Sequence, residues 1–449
     1  MNTQIICMMI CYIVVSGHFQ QRHSHIDLVN EAKHVNKNAV QVLIIGAGIA
    51  GLEAGRLLQK QGIQTMILEA RNRSGGRVWS YRSQSGHMLD IGATWIHGID
   101  ETLMNSINLS LGYYADRFIT QMKFTKKEEN IFYNHLHHVI ECNEGAELND
   151  IGAKIFLDFT STYYGDEHIF HKNGFMSLTN YLSKDISNIQ FNEIVSKITY
   201  HNQTVEVRTK AGHIYYADYV LLTVPLGILK QKQIEFNPVL PQWKLDAIDR
   251  IGFNIFEKVF LLWDRAWWNA SNFYFTRFSS NPSRMGYWVN ANKWNDKPAL
   301  ICFFAGKTTP QLLSIQNRNE LIEELQHTLQ EMFPGTTVPR PVEVHVTNWY
   351  EDPFSYGSYS YISAKQKYDD PIALTEPLKD RLLFAGEATT LGTYGYAHGA
   401  LLSARREVTR LLYDYDLLFT KNHTNSQSTM IISVQLLIIS MISLRFCLY

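Results

Sequence analysis

The sequence has little cysteine and no excess of charge of either sign. Its 449 residues include five cysteines, which form no CxxC pair and no metal-ligand spacing, so neither a disulfide framework nor a metal site is expected. Lysine and arginine number 41 against 42 aspartate and glutamate, for a net charge of -1. This balance gives no electrostatic basis for binding nucleic acid, and local groups would have to attract any cationic substrate.

The chain also lacks an uninterrupted apolar run that is long enough to cross a bilayer. Ile5 to Val15 is a shorter apolar run, which predicts a signal peptide over residues 1–17 and a polar leader over 18–39. A membrane-anchored N-terminus or a misassigned start is the alternative. Residues 416–449 form a polar linker and a serine-interrupted hydrophobic tail, which predicts a GPI-anchor signal, a tail anchor or neither. With sequons such as Asn269-Ala-Ser271, these ends favour a secreted or cell-surface glycoprotein.

A glycine fingerprint stands between two predicted strands. The motif GAGIAG at 46–51 follows a strand predicted at 41–45 and opens a helix predicted over 49–60, and a strand at 65–68 precedes Glu69. In such a βαβ unit the first glycine makes a tight turn, the second lets a pyrophosphate approach, and the third allows close helix packing. The acid accepts from ribose hydroxyls, which favours FAD or NAD over NADP. The predicted cofactor-binding residues here are Gly46, Gly48, Ala50, Gly51 and Glu69.

A second glycine-rich loop distinguishes FAD from NAD. Residues 71–77 read RNRSGGR directly after the acidic strand. Backbone N–H groups and a guanidinium fork could hold a diphosphate there, whereas a simple nicotinamide enzyme has no need of this loop. Arg71 and Arg77 are therefore predicted to bind FAD, and a solvated arginine-rich surface is the alternative.

Later segments continue the alternation of strands and helices. The apolar stripe formed by Leu321, Ile322, Leu325 and Leu329 predicts a helix that packs on a core. A last helix is predicted from about 397 to 413. The further strands predicted are 204–209 and 213–217, which form a hairpin, and 219–223, 258–263, 300–304 and 382–385.

Six ordered motifs between about 40 and 413 resemble the flavin-containing amine oxidase family, which includes monoamine, polyamine and L-amino-acid oxidases and flavin histone demethylases. The resemblance implies a mixed α/β fold. In it, a Rossmann-type FAD-binding domain (40–97, 190–255 and 376–415) interleaves with a mixed-sheet substrate domain (98–189 and 256–375). Besides the two glycine loops, the motifs are GATWIHG at 92–98, the segment from AD at 217–218 to TVPLG at 223–227, FAGE at 384–387 and HGA at 398–400.

The resemblance implies further contacts with FAD. Glu387 would reach the ribityl or diphosphate region, and the backbone of Val195 would pair with adenine. The helix that begins near Ala397 would direct its amino end at the flavin, where its dipole stabilises negative charge. Ser358 stands where monoamine oxidases have the cysteine that tethers the flavin, so FAD is expected to be noncovalent. The resemblance also assigns to the cofactor Gly92, Ala93, Trp349 and Tyr396.

The resemblance implies the catalytic residues as well. Lys258 matches the family lysine that holds a water against flavin N5, and an edge-strand lysine facing solvent is the alternative. Tyr359 and Tyr396 match the two aromatic residues that flank the amine and exclude water from the reacting bond. His97 would lie near the substrate nitrogens as a hydrogen-bond partner or proton acceptor. Core packing is the alternative for all three of these aromatic side chains.

The segment 92–98 looks most like that of the animal polyamine oxidases, and the lack of a SWIRM-like leader argues against a histone demethylase. The expected reaction is the oxidation of spermine, spermidine or an acetylated form by hydride transfer to flavin N5. It would use dioxygen and give an imine, then an aldehyde, a shorter amine and hydrogen peroxide. The acids that select the substrate are not identified, with Asp166, Glu167 and Glu351 as candidates.

Two alternatives remain open. An L-amino-acid oxidase would need an arginine clamp for the carboxylate, which no motif of the sequence provides. A catalytically inactive, secreted binding protein with an amine-oxidase-like fold is the alternative of another class, and the presence of Lys258, Tyr359 and Tyr396 argues against it. The oligomeric state is not predicted.

Overall fold

A computed structural model describes most of the chain between residues 40 and 414. The predicted signal peptide, leader, C-terminal tail and His97 lie outside the described residues. All described residues belong to one compact unit within 38–449. Among them, no helix has both the length and the apolar character needed to cross a bilayer. The described ranges are 40–96, 109–153, 168–169, 173–201, 203–278, 285–295, 297–306, 308–315, 317–390 and 392–414.

An eight-stranded sheet is built around the strand Val40–Ile45, whose last four residues are buried. This strand pairs in parallel with Thr65–Leu68 on one side and with Ile214–Leu222 on the other. Runs of β-branched residues and leucine are typical of parallel strands that are covered on both faces. The other strands of this sheet are Ile189–Gln190, Val195–Tyr200, Val205–Thr209, Glu235–Asn237 and Leu382–Phe384.

The strand Ile214–Leu222 corrects one prediction, because it joins two segments that the sequence predicted as separate strands. Its first residues pair antiparallel with Val205–Thr209, as the predicted hairpin requires. Its last residues lie between Val40–Ile45 and Leu382–Phe384. From Ala217 onward most of its residues are buried, since the strand passes from an antiparallel pair into the covered centre of the sheet.

Two helices pack side by side on one face of this sheet. Ile49–Lys60 begins at the glycine fingerprint, and Ala397–Thr409 continues into a π-helical turn at Arg410–Asp414. Buried side chains of both helices join those of the strand Val40–Ile45 in one apolar cluster. Both predicted helices are thus confirmed.

A five-stranded antiparallel sheet forms the second large element. Every residue of its two central strands, Phe256–Leu262 and Ala299–Ala305, is buried. One face packs on the helix Arg318–Met332, in which the predicted stripe from Leu321 to Leu329 is buried. Lys258 therefore lies in a covered strand and not on a solvent-facing edge. In spatial order the strands are Tyr274–Thr276, Tyr287–Asn290, Ala299–Ala305, Phe256–Leu262 and Glu343–Val346.

The remaining elements are three pairs of short strands and a set of helices and helical turns. The five-stranded sheet falls within the predicted substrate ranges, but the division into two domains stays a prediction. The three strand pairs are Ser80–Arg82 with Met88–Asp90, Trp95–Ile96 with His168–Ile169, and Gly252–Phe253 with Ser360–Tyr361. The other helices are Leu111–Met122, Lys126–Leu136, Cys142–Glu144, Met176–Ser183, Leu226–Lys230, Gln242–Arg250, Asn292–Asn295, Thr308–Leu313 and Asp370–Thr375, with a π-turn at His137–Glu141 and a 3-10 turn at Glu387–Thr389.

Candidate active site

A cavity of about 1020 Å³ lies at the carboxyl ends of the parallel strands. Ile45, Leu68 and Thr223 line it from the first sheet, and Phe256 and Phe303 line it from the second. Its volume is at the top of the ~300–1,000 Å³ that ligand sites typically have. Ligands of open α/β sheets bind at this edge of the strands.

The three fingerprint glycines have separate structural reasons. Gly46 adopts a φ of +108°, and a Cβ there would lie 2.7 Å from Thr223 Oγ1. A Cβ on Gly51 would lie 1.9 Å from the Gly46 carbonyl oxygen, so this glycine lets the helix pack against the turn. Gly48 lines the cavity and has no atom within 4 Å of a Cβ position. The backbone at Gly48 is therefore open to the cavity, and the approach of a pyrophosphate there stays a prediction.

The second glycine loop lies directly beside the fingerprint. Gly75 donates from its backbone N–H to the Ala47 carbonyl oxygen at 2.8 Å. The helix Ile49–Lys60 begins with no side-chain cap and no acid in its first turn, so its first N–H groups carry partial positive charge. We call residues 46–50 and 69–77 the glycine-rich wall of the cavity.

Glu69 is buried in this wall with both carboxylate oxygens in use. Oε2 accepts from Ala47 N at 2.7 Å, and Oε1 accepts from Arg71 N at 2.9 Å. Burial raises the pKa of Glu69, and these two backbone donors lower it in part. Each carboxylate oxygen keeps a second lone pair, so a ribose hydroxyl could still donate to Glu69.

The arginines of the wall bind protein acceptors, which differs from the predicted diphosphate clamp. Arg71 forms a bidentate pair with Asp352 at 2.8 and 2.9 Å. Arg77 donates to Glu387 Oε1 at 2.7 Å and to the Ser358 carbonyl oxygen at 2.9 Å. Asp352 and Glu387 lie 281 and 310 residues further along the chain, so no local pattern could have paired them.

Lys258 links the five-stranded sheet to the segment 90–94 through hydrogen bonds. Its ammonium donates to the Asp90 carbonyl oxygen at 3.1 Å, to the Gly92 carbonyl oxygen at 2.6 Å and to Thr94 Oγ1 at 2.7 Å. Burial lowers the pKa of Lys258 to about 8, although the carboxylates of Asp90 and Glu257 act in the opposite direction. The three ammonium donors thus have protein acceptors, and the water contact stays a prediction.

Five aromatic rings, which we call the aromatic wall, line the cavity in a chain of contacts. The Tyr359 ring lies 5.9 Å from that of Phe256, and the next centroid distances along the chain are 4.9, 5.5 and 5.5 Å. Tyr359 donates from its hydroxyl to the Asn143 carbonyl oxygen at 2.7 Å. The wall consists of Tyr359, Phe256, Phe303, Tyr287 and Tyr274.

Tyr396 also lines the cavity, at the N-cap of the helix Ala397–Thr409. Its ring stacks on that of His398, with centroids 5.1 Å apart. Like the fingerprint helix, this helix starts with no side-chain cap and no acid in its first turn. The structure therefore brings Tyr359, Tyr396 and Lys258 to one cavity, and their contact with an amine stays a prediction.

Nearly all other predicted site residues line the same cavity. Gly51 does not, because it packs inside the turn, and His97 is outside the described residues. Trp349 donates from its indole to the Ile91 carbonyl oxygen at 2.9 Å, and Ser358 exchanges hydrogen bonds with the backbone of Phe256. The predicted cofactor residues on the cavity surface are Gly46, Gly48, Ala50, Glu69, Arg71, Arg77, Gly92, Ala93, Val195, Trp349, Glu387, Tyr396 and Ala397.

Asn143, Glu144 and Thr94 were not predicted as site residues from the sequence. Asn143 and Glu144 line the cavity from the short helix Cys142–Glu144, which carries no motif, so no local signal could have identified them. Thr94 lies inside the quoted motif at 92–98 and could have been proposed from it. Of the acids considered as substrate ligands, Glu351 is exposed and accepts from Asn348, while Asp166 and Glu167 fall outside the described part of the chain.

Comparison of the sequence with protein families and with curated proteins gives consistent matches. The profile described as "Flavin containing amine oxidoreductase" matches residues 49–112 and 117–412. Lysine-specific histone demethylase 1 homolog 3 of Arabidopsis thaliana is 27% identical over 487 residues, which cover 83% of this chain and 30% of that protein. Homolog 2 of Oryza sativa subsp. japonica is 28% identical over 437 residues, covering 84% and 57%. The chain thus spans about a third to just over half of these relatives.

Comparison with solved structures confirms the predicted mixed α/β fold. A putrescine oxidase mutant made to redesign cofactor binding superposes with a TM-score of 0.66 at 15% sequence identity. The match covers 84% of this chain and 99% of that one. The predicted closer likeness to animal polyamine oxidases stays a prediction.

Proposed function

Because this chain belongs to the flavin containing amine oxidoreductase family, we propose that it is a polyamine oxidase that binds FAD noncovalently. The observation that supports this most directly is the shared cavity. Its surface includes the fingerprint residues Gly46 and Gly48 together with Lys258, Tyr359 and Tyr396. A dinucleotide and an amine would therefore meet in one cavity.

The glycine-rich wall fits the dinucleotide part of FAD. The open surface at Gly48 and the N–H groups at the start of the helix Ile49–Lys60 would hold the diphosphate. Glu69 would accept from the ribose, and Val195 would lie at the adenine. Ser358 has a hydroxyl that is bonded to the backbone of Phe256 and offers no thiolate, which supports noncovalent binding.

Bound FAD would supply the two-electron acceptor for the carbon next to the amine nitrogen. The chain's own residues would position and desolvate the amine. The ring faces of Tyr359 and Tyr396 would contact the nitrogen and exclude water from it. Lys258, whose pKa burial lowers to about 8, would release or accept a proton at Nζ near neutral pH.

The experiment is to purify the protein and assay both cofactor and turnover. We expect a visible flavin absorption that acid precipitation releases into the supernatant, and peroxide release with spermine or N1-acetylspermine. Tyramine, leucine and a methyl-lysine peptide test the competing substrate classes, the last because the relatives are named as histone demethylases. Absence of flavin, or of turnover with every amine, would refute the oxidase proposal, and turnover of the peptide alone would refute the polyamine part.

We also propose that the chain follows the secretory route and carries glycans. Asn269, in the sequon Asn269-Ala-Ser271, is exposed, and its side-chain oxygen accepts from Ser271 N at 3.0 Å and Oγ at 2.7 Å. Glycosidase treatment of the secreted protein should lower its mass. In Asn269→Gln this decrease in mass should be smaller by the mass of one glycan. An unchanged mass in both comparisons would contradict glycosylation at this position.

A further inference from the structure

We propose that Glu144 binds a second, distal ammonium group of the substrate and thereby makes the cavity selective for diamines and polyamines over monoamines. This inference rests on the proposed amine oxidation and identifies the side chain that selects its substrate. Glu144 lines the cavity at the end of the short helix Cys142–Glu144.

Glu144 differs from every other carboxylate on the described cavity surface because it has no partner. Glu69 accepts from two backbone N–H groups, Glu387 pairs with Arg77, and Glu193 pairs with His213. Within the described ranges no group donates to the Glu144 carboxylate, and only its backbone oxygen is bonded, by the Asn254 side chain. An acceptor is therefore free inside the cavity.

The free carboxylate is energetically unfavourable without a cation. Burial raises the pKa of Glu144 to about 7, and no opposing interaction offsets the burial. Glu144 is half-buried on the cavity surface, and a carboxylate that loses hydration without gaining a partner is costly, whereas a paired and hydrogen-bonded one is tolerated. A ligand ammonium would supply both the charge and the donors that the protein does not.

Asn254 holds Glu144 in a fixed position relative to the aromatic wall. Its side chain donates to the Glu144 carbonyl oxygen and accepts from Tyr359 N at 3.1 Å. The Tyr359 hydroxyl in turn donates to the Asn143 carbonyl oxygen at 2.7 Å. Gly145, with a φ of +64°, ends the helix where a Cβ would lie 2.5 Å from Asn254 Nδ2. The carboxylate and the predicted amine-flanking ring are thus tied together.

The chemistry of a diamine requires such a residue. The nitrogen that is oxidised must be neutral, but an alkylamine with a pKa near ~10 keeps its other nitrogen charged at neutral pH. The aromatic wall offers ring faces to this charged nitrogen, but none of its residues has a carboxylate. Glu144 would pair with it, whereas a monoamine has nothing to place there.

The test compares putrescine with butylamine, which lacks only the second amino group. Glu144→Gln keeps the shape and removes the charge, and Glu351→Gln is the matched control because that carboxylate is exposed. In Glu144→Gln we expect kcat/KM for putrescine to fall ~30-fold or more, with butylamine within about twofold. Glu351→Gln should change neither. Equal losses for both amines, or unchanged putrescine turnover, would overturn the role of Glu144.

A binding measurement separates this inference from the oxidase proposal. Calorimetry under argon at about pH 6.5, on protein reduced beforehand with dithionite so that the amine cannot be oxidised, should show putrescine binding to the wild-type protein with release of protons, since pairing lowers the pKa of Glu144. Glu144→Gln should bind putrescine more weakly and release fewer protons. If no amine is turned over, spermine and N1-acetylspermine included, the oxidase proposal fails, yet weaker binding of putrescine by Glu144→Gln would still support the role of Glu144 and equal binding would overturn it.

Discussion

The glycine-rich wall and the aromatic wall treat charge in opposite ways. Around the first, charged side chains are bonded within the protein, as in Arg71 with Asp352 and Arg77 with Glu387. Beside the second, the carboxylate of Glu144 accepts no hydrogen bond and forms no ion pair within the described residues. Paired charges hold a surface rigid before a ligand arrives, whereas an unpaired charge is completed by the ligand. Under the proposed function, the first wall would be preorganised for the bound cofactor, and the second would be completed by the charge of the substrate.

The largest expected effect comes from breaking the turn beneath the glycine-rich wall. Gly51→Ala would place a methyl group 1.9 Å from the Gly46 carbonyl oxygen, which should destabilise the fold by more than ~4 kcal/mol. Gly48→Ala meets no atom within 4 Å, so it should keep the wild-type melting temperature when both proteins are free of flavin, but it should bind less flavin. Melting curves and flavin content would check both, and similar melting temperatures for the two variants would contradict the separate roles.

The next effect comes from breaking a charge pair in the same wall. Arg77→Met leaves the buried Glu387 without its cation, which should lower the free energy of unfolding by about 3 kcal/mol. The double variant Arg77→Met with Glu387→Gln should recover part of that loss, because no uncompensated charge remains. Denaturant titration measures both. An Arg77→Met variant as stable as the wild type would show that the pairing does not stabilise the wall.

Two buried lysines allow the cavity to be compared with the rest of the fold. Lys258 lines the cavity, whereas Lys244 donates to the carbonyl oxygens of Ala373 and Leu374, and burial lowers its pKa to about 7. We expect Lys258→Met to keep flavin but slow turnover, especially flavin reoxidation, ~10²-fold. Lys244→Met should lower the melting temperature and leave kcat unchanged. Stopped-flow reoxidation and melting curves test this, and equal kinetic losses would refute an active-site role for Lys258.

A smaller effect should appear in the pH dependence of substrate choice. Glu144 pairs with a cation only when deprotonated, so the kcat/KM ratio of putrescine to butylamine should fall as pH drops through about 7. The decrease is at most ~10-fold per pH unit, and Glu144→Gln should show a flat ratio. The facing groups Tyr359, Tyr361 and Cys142 stay protonated there, because burial raises their pKa values. A wild-type ratio that does not change with pH would contradict this mechanism.

The elements around local motifs were predictable from the sequence. The fingerprint helix Ile49–Lys60 and the strand Thr65–Leu68 have the predicted bounds, because periodicity and glycine positions are local signals. The apolar stripe from Leu321 also predicted its helix. The strand Ile214–Leu222 was predicted as two strands. Its residue pattern changes where the strand exchanges an antiparallel partner for a parallel one, and not at a turn.

The partners within the site could not be read from the sequence. Tyr359, Tyr396 and Lys258 were predicted through resemblance to family motifs, and the structure brings them to one cavity. Arg71 was predicted to hold a diphosphate, but its fork binds Asp352, which is 281 residues away. Glu144 belongs to no motif, and its free carboxylate depends on which residues fold around it. Such contacts are tertiary, so only the structure reveals them.

The free carboxylate of Glu144 also has a consequence for the thermal stability of the empty protein. Its pKa is 4.5 in an ordinary environment and about 7 in the fold. Between these values the folded chain binds more protons than the unfolded chain, so stability falls as pH rises, and the whole loss persists above pH 7. Glu144→Gln should therefore melt a few degrees higher than the wild type at about pH 8 and no higher at about pH 4. Scanning calorimetry at both pH values would show whether the carboxylate that is proposed to select diamines lowers the stability of the fold.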